Sequence, residues 1–436
     1  MKKPGRVPTP RLDSPNEGSP VVATPRLDED PGTPGQHPVA SGTFGCLYRP
    51  PLQCKNDQDK AGAAVNYDGK VSKLLKTTEA SDEIDSYAII QQIDPEARYY
   101  SGFPINCDID IRQLKAIQNC KSKHVLDVDN IDELSLFQLN DGGMDINKYT
   151  KTVYRLSKSR ENTNKILKFW RAVINLFEGL VQFKRGVVHH DLKPDNILYN
   201  EDTGRALFTD FGLTETRESM LEDAKEYGLK PWDYYPIEVN MCSLDKYKTM
   251  VGDDAGKQKL ILDVVQDKTT SFVGLYNVTD PIQEASERYG QFLEFCRIER
   301  EKCREELSQV EELSRRLFID EDNSEWKHSM ITKAIYNKLY ETFAQRLIDT
   351  FDIYGLGYTL LYFHNQTKRL LLPEKQELSN ELDALCKRMI HVNPFVRFTP
   401  EEALDEYRRI ITKIHHVGGA VHTTKRKYCR NKTNKK

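Results

Sequence analysis

The order of its sequence patterns predicts an α+β fold for this chain, with a small strand-rich lobe, a larger helical lobe after it and a cleft between them. Three observations carry that prediction. From Val39 onward, strand-like and turn-rich stretches follow one another as "VASGTFGCLYRP", "GKVSKLL" and "ELSLFQLNDGG", with a helical stretch around "SDEIDSYAIIQQI" between the second and third. From Asn164 to Lys184, Ile166, Phe169, Trp170, Val173, Leu176, Phe177 and Leu180 form the stripe of an amphipathic helix, and Gly186 is placed to stop it. With 436 residues, 38% of them apolar and 30% charged, the chain is long enough for one large two-lobed domain or two to three ordinary ones, with a buried core and polar appendages.

Residues 1–38 hold nine of the chain's 20 prolines and show no apolar periodicity, so they are expected to be a disordered arm. "TPRLD" occurs there twice, at Thr9–Asp13 and Thr24–Asp28, among five Ser/Thr-Pro dipeptides; a spacer, a docking peptide and a phosphorylation platform all fit that composition. No apolar run approaches the roughly 20 residues of a membrane span, and the opening "MKKPGRVPTPRLDSP" lacks the apolar core of a signal peptide, which predicts an intracellular address and no membrane partner. The nine cysteines are scattered and include no CxxC pair, so the expectation is reduced thiols, several of them buried, and neither a disulfide framework nor a zinc site. A net charge of −3 argues against nucleic-acid binding by the chain as a whole.

"SGTFGCLY" (Ser41–Tyr48) is a glycine turn between two strands, in which Gly42 and Gly45 would let backbone N–H groups approach phosphate oxygens; a plain hairpin uses the same residues. Lys73, a cation within an apolar strand, could reach the α- and β-phosphates of a nucleotide. Glu83 on the following helix is a candidate partner for it, with Glu79 as a rival.

The most specific signal is "HHDLKPDN" (His189–Asn196) followed by "FTDFGL" (Phe208–Leu213). That spacing suits a phosphoryl-transfer loop. Asp191 can accept the hydrogen bond of a substrate hydroxyl, and Lys193 can offset charge on the transferring phosphoryl. Asp210 follows Asp191 by 19 residues, room for a short strand and turn that return a second acid to the Mg²⁺ site of Asn196.

On these residues the chain, from about Val39 to Tyr407, resembles the eukaryotic-type protein kinase superfamily, and "DLKPDN" is similar to its Ser/Thr branch. The resemblance implies a two-lobed kinase-like fold, with a small β-rich N-lobe over residues 39–139 and a larger α-helical C-lobe over 140–410. It also implies ATP and Mg²⁺ as cofactors and proteins as substrates. In "FQLNDGG" it implies Phe137 guarding the adenine pocket and Gln138, Leu139 and Asn140 as the hinge. "DIYGLGYTLLYF" resembles the central helix whose aspartate, Asp352, braces the catalytic loop, and "NPFVRFTPEEAL" places Arg397 to pair with the glutamate that closes the activation segment, Glu238 of "YYPIE". "YRPPLQC", "VSKLL", "IDPEARYY" and "YYPIEVN" look like the divergent kinases of large nucleocytoplasmic DNA viruses, which implies a viral protein acting in the host cytoplasm, the nucleus or a virion.

There are departures from the family pattern. Ala40 stands where a third glycine is expected, and His190 where the family has an arginine that pairs with a phosphate on the activation loop. A histidine is mostly neutral near pH 7, so the substitution removes a regulatory contact and leaves Lys73, Asp191, Asn196 and Asp210 in place. Between Glu238 and Asp352 lie 113 residues, an insertion at about 240–345. Within it Tyr289, Cys296, Cys303, Val310 and Leu317 recur every seven residues, with Leu293 and Leu307 beside them. The pattern predicts a helix packed on the lobe or in a hairpin, since Arg300 and Ser314 interrupt a coiled-coil seam. The basic tail, 411–436, ends in "KRKYCRNKTNKK" with seven Lys or Arg, read either as solvated or as a contact for nucleic acid, another acidic surface or nuclear import. Two other functions stay open: a pseudokinase scaffold, and a virion or nucleic-acid-associated structural protein tethered by that tail.

Overall fold

The computed structural model describes residues 37–128, 130–230, 232, 234–275, 281–317 and 324–416. The Pro-rich arm as far as residue 36 and the basic tail from residue 417 lie outside them.

The first lobe is built on a five-stranded antiparallel sheet of β1 (Ala40–Ser41), β2 (Gly45–Tyr48), β3 (Lys70–Lys76), β4 (Ile105–Cys107) and β5 (Leu134–Asn140), in the order β1-β2-β3-β5-β4. Strand side chains alternate between faces. Val71, Lys73 and Leu75 of β3 therefore share one face with their cross-strand partners Leu139, Phe137 and Ser135. That face packs toward α1 (Thr77–Ile93) and the second lobe, in a core that includes Tyr87, Ile90 and Phe211. Leu74, Leu134 and Leu136 take the opposite face, against α2 (Leu114–Gln118) and α3 (Lys123–Leu126).

On that outer face the cysteine expectation is overturned. Cys46 is disulfide-bonded to Cys120 and Cys54 to Cys107, across 74 and 53 residues of sequence. Spacing along the chain cannot reveal such pairs, because it is the sheet and the segment laid over it that bring the sulfurs together. Each crosslink restricts the unfolded chain and stabilises the lobe by about 2–4 kcal/mol. Cys242, Cys296, Cys303 and Cys386 are free and buried, as expected for several of the thiols.

The second lobe begins with β6 (Met144–Asp145) and α4 (Ile146–Tyr154) and continues through α5 (Arg160–Ala172) and α6 (Ile174–Phe183). The sequence stripe spans both of these last two helices, and all seven of its residues are buried. The single helix expected there is tightened at Val173, whose carbonyl accepts from Leu176 N at 2.9 Å and from Phe177 N at only 3.4 Å, a local 3₁₀ turn. Next come β7 (Val187–Val188), β8 (Ile197–Asn200), β9 (Arg205–Phe208), β10 (Glu215–Thr216) and α7 (Arg217–Glu226). β6, β8 and β9 form one small sheet, and β7 and β10 another.

The insertion folds as α8 (Leu244–Val251), α9 (Ala255–Leu275), α10 (Pro281–Leu317) and α11 (Ser324–Asp349). Phe292, Phe295, Cys296 and Cys303 of α10 are buried with Tyr340 and Phe343 of α11, so the seven-residue spacing serves packing within the chain. The same core takes in Met220 and Ala224 of α7 and Tyr235 and Ile237 beyond it. The insertion is thus the floor on which the segment after Asp210 rests. α12 (Phe351–Thr367), α13 (Gln376–Met389) and α14 (Pro400–His416) complete the lobe. Among the described residues no helix is long and apolar enough to cross a membrane.

Candidate active site

The site lies where the cleft-facing side of the first sheet meets the β8–β9 hairpin. Phe208 N donates to Tyr99 O at 2.9 Å, which ties that hairpin to the segment after α1. The hairpin pairs Ile197 with Phe208, and Thr209 N donates to Asn196 O at 3.1 Å, so Asn196 and Asp210 emerge from the same end.

The loop between β7 and β8 is anchored from below. The buried carboxylate of Asp352, at the start of α12, accepts from His189 N at 2.7 Å and from His190 N at 3.1 Å. Burial pushes this carboxyl above its ordinary range, against the opposing pull of the two N–H groups and His189. The buried His189 ring reaches Thr209 O at 3.1 Å and rests against Phe211, with ring centroids 4.9 Å apart. His190 and Asp210 have φ of +68° and +64°, an uncommon conformation for side-chain-bearing residues that asparagine, aspartate and histidine adopt most readily. One such residue sits in each of the two site segments.

Asp191, Lys193 and Asn196 form one hydrogen-bonded cluster. Lys193 Nζ lies 3.0 and 2.7 Å from the Asp191 carboxylate oxygens. Asn196 Nδ2 donates to Asp191 O at 2.9 Å and to Asp191 Oδ2 at 2.7 Å. Across the cleft, Lys73 Nζ is 2.7 Å from Glu83 Oε2 and 2.8 Å from Asp210 Oδ1. Glu83 is therefore the partner, while Glu79 turns to His124 at 3.2 Å. Burial works against the Lys73 ammonium, but Asp210 and Glu83 outweigh it and hold the group protonated above its usual range. Burial likewise opposes the charge on Asp210, and Lys73 overcomes it and holds that carboxyl below its ordinary value.

Asn196 and Asp210 suit a hard cation. With its nitrogen committed to Asp191, Asn196 offers an amide oxygen, and Asp210 keeps one carboxylate oxygen away from Lys73 on a side chain that is 42% exposed. Oxygen donors of this kind match Mg²⁺, which takes few protein ligands and fills its shell with phosphates and water. Among the described residues no group of three or more His, Cys, Asp or Glu converges as a metal cage.

The glycine turn is present, closed by Gly42 N to Gly45 O at 2.9 Å. Its second glycine has a packing reason: a Cβ on Gly45 would lie 2.2 Å from Leu74 O on β3. The turn is also held from the side, as Ser122 Oγ donates to Thr43 O at 2.7 Å and Phe44 meets His124 with ring centroids 5.1 Å apart. Leu139, beside Val71, is on the cleft face. The Gln138 side chain points away from the cleft. It pairs with Ser72 on the far face, and its Nε2 donates to Leu52 O at 2.7 Å, so only its backbone is on offer to a nucleotide.

Two further residues bear on the site. The His190 ring is packed between Tyr235 and Phe351, with centroids 5.4 and 5.2 Å away, and its nearest acid, Glu215, is 3.6 Å from Nδ1. Sequence reasoning missed Tyr234 altogether. Its hydroxyl donates to Asp191 Oδ1, and Lys193 Nζ lies 5.2 Å from its ring centroid. Nothing local marks it, since 43 residues separate it from Asp191.

No family model matches the chain. Over 46 residues, 11% of its length, it is 46% identical to two Encephalitozoon cuniculi proteins named probable cell division control protein 7 homolog 1 and homolog 2, covering 13% of each. Over 142 residues, 32% of its length, it is 29% identical to the mitogen-activated protein kinase HOG1 of Candida albicans, covering 34% of that protein. The chain thus spans about a third or less of the curated relatives it matches, and over that stretch it is kinase-like.

Proposed function

We propose that the protein is a serine/threonine protein kinase, transferring the γ-phosphoryl group of ATP to hydroxyls of protein substrates with Mg²⁺. The observation that carries this reading is the pair of clusters brought together at one end of the β8–β9 hairpin: Asp191 with Lys193 and Asn196, and Lys73 with Glu83 and Asp210. In this reading residues 39–139 cover the nucleotide and residues 140–410 carry the catalytic loop.

Each role follows from what a side chain can do. Asp191 accepts the substrate hydroxyl's proton or orients that hydroxyl. Lys193 faces the charge that develops on the transferring group. Lys73, fixed by Glu83, is a cation for the nucleotide phosphates, and the backbone of Gln138 and Leu139 borders the base. Asn196 and Asp210 would hold Mg²⁺, which when bound neutralises phosphate charge. The likeness to kinases of large DNA viruses, with an intracellular site of action, belongs to the same proposal and rests on the sequence segments quoted for it.

The test is transfer of ³²P from ATP to one acidic and one basic generic protein, beside the Asp210→Asn variant, with phosphoamino-acid analysis of the product. Label on serine or threonine that the variant loses is the expected result. A wild-type protein that binds ATP yet transfers nothing would be a pseudokinase scaffold, the reading that Ala40 and the insertion favour. Undiminished turnover by the variant would remove Asp210 from the metal site.

A further inference from the structure

Tyr234 stands where an acceptor should stand. Its phenolic hydroxyl donates to Asp191 Oδ1, on the carboxylate that also takes Lys193 at 2.7 Å and Asn196 at 2.7 Å on Oδ2. A general base must lie within hydrogen-bond reach of the proton it removes, and this is the one contact that an incoming hydroxyl has to make with Asp191. The position is held by neighbours. Tyr235 OH donates to His190 O at 2.6 Å, its ring packs on His190 and on Phe351, and the core under it is the insertion's. The Tyr234 ring stacks on Trp232 on its outer side, with centroids 6.5 Å apart.

We propose that Tyr234 is an acceptor for the chain's own phosphoryl transfer, a tyrosine modification site presented to Asp191 from within the same molecule. This rests on the kinase reading above and adds an acceptor that the Ser/Thr-type loop does not suggest. In the step, the Tyr234 phenolic oxygen forms a bond to the γ-phosphorus of ATP. The bond from that phosphorus to the oxygen bridging to the β-phosphate breaks, and ADP leaves with its electron pair. The phenolic proton passes to Asp191 and from there to solvent. Burial and the adjacent Asp191 carboxylate both raise the phenol's pKa, so the hydroxyl arrives protonated and needs such a base.

The product cannot keep the starting arrangement. A phosphotyrosine carries about −1.5 to −2 charge at pH 7, and it would sit beside the Asp191 carboxylate, whose oxygens Lys193 already pairs. Repulsion moves the ring away from Asp191, and the modification uncovers the base for an outside hydroxyl. Because donor site and acceptor belong to one chain, the rate per molecule is independent of dilution.

The experiment uses the full chain, expressed with a phosphatase and confirmed by mass to be unmodified, then given ATP and Mg²⁺ together with a generic protein acceptor. Peptide mapping follows phosphate on Tyr234 over a roughly hundredfold range of protein concentration. Alongside it, protein expressed without the phosphatase is mapped directly as purified, as wild type, Asp191→Asn and Tyr234→Phe. Support consists of phosphate on Tyr234 appearing at a concentration-independent rate, present in the purified wild type and absent from Asp191→Asn. Label on the generic protein with none on Tyr234, or Tyr234 labelling that slows in proportion to dilution, overturns the inference and leaves the kinase reading standing. Label on neither, in a protein that still binds ATP, overturns both.

Discussion

Two ion networks in this molecule use the same chemistry for opposite ends. In the cleft, Lys73 holds Glu83 and Asp210 on side chains that remain 17% and 42% exposed at Lys73 and Asp210. Beneath the activation segment, Arg397 holds Glu238 with both side chains 0% exposed. The second network is closed to solvent. Arg397 Nε donates to His391 O at 2.9 Å, Nη1 reaches Thr350 Oγ1 at 3.3 Å, and the guanidinium lies over the Tyr354 ring at 4.8 Å. The first network keeps an open side, with Asp210 oxygen turned away from its cation. A closed network is a fastener, whereas one left open toward the cleft is free to take a ligand.

The largest expected effect separates the two directly. Lys73→Met and Asp210→Asn should each lower phosphoryl transfer by roughly a hundred- to a thousandfold, the scale seen when a charge-stabilising group is removed from a reaction centre. The urea midpoint of Asp210→Asn should stay close to wild type, whereas Lys73→Met leaves the buried Glu83 carboxylate without its cation and should lose some stability as well. A midpoint that collapses in Asp210→Asn would place the cleft network among the fasteners.

Next in size is the converse. Arg397→Met strands the Glu238 carboxylate in the core, and breaking a buried pair in this way costs about 3–5 kcal/mol. Urea unfolding of the single variant and of Arg397→Met with Glu238→Leu should show a large loss and a partial recovery; a single-variant loss below about 1 kcal/mol would contradict the assignment.

A smaller effect is read from pH. Burial, then the charge of Arg397, pushes His391 down to about 4, with Arg388 and Arg288 adding to the repulsion, while Asn393 N donates to its Nδ1 at 3.0 Å. The fold therefore prefers this imidazole neutral, whereas the unfolded chain takes up its proton near pH 6.5. The contribution is complete above about pH 6.5 and is lost as pH falls toward about 4. On the order of 1–3 kcal/mol is at stake, because the group is only partly enclosed. Melting temperature followed across that window should fall less steeply in His391→Gln than in wild type; parallel curves would remove His391 as the cause.

The smallest effect concerns the activation segment. Thr214 is buried with its Oγ1 directed at His189 O, and Thr216 Oγ1 caps α7 by accepting from Ser219 N at 3.2 Å. His190, enclosed by Tyr235 and Phe351, offers no cationic fork to a phosphate, and Arg217 nearby is already paired with Asp349. Protein free of phosphate on Thr214, Thr216 and Ser219 should be active, and Thr216→Ala should cost about 1 kcal/mol of stability, the usual worth of a helix cap. Silence of the unmodified protein at pH 8, relieved by phosphate on any of those three residues, would overturn this account of the histidine.

What could be read along the chain was what local geometry decides. "DLKPDN" and "TDFG" flank one hairpin, so the 19 residues from Asp191 to Asp210 already imply that their ends converge. The stripe from Ile166 to Leu180 buries because helical periodicity alone places it on one face. Strand alternation, applied from Lys73 across to Phe137, would also have sent Gln138 to the far face, once the β3–β5 register was known.

That register is where tertiary structure takes over. Glu79 and Glu83 are one helical turn apart and chemically alike; the side of α1 that faces β3 selects Glu83, and the α3 segment takes Glu79 through His124. Among the described residues, four cysteines pair because the sheet and the segment laid over it bring together positions 53 and 74 residues apart. Tyr234 reaches Asp191 because the insertion's core fixes the path of the segment carrying it. The sequence by itself determined which groups could do the chemistry, since side-chain type and short-range spacing are properties of the chain. Which of them meet depends on contacts between residues far apart in sequence, whose distances only the packed fold sets.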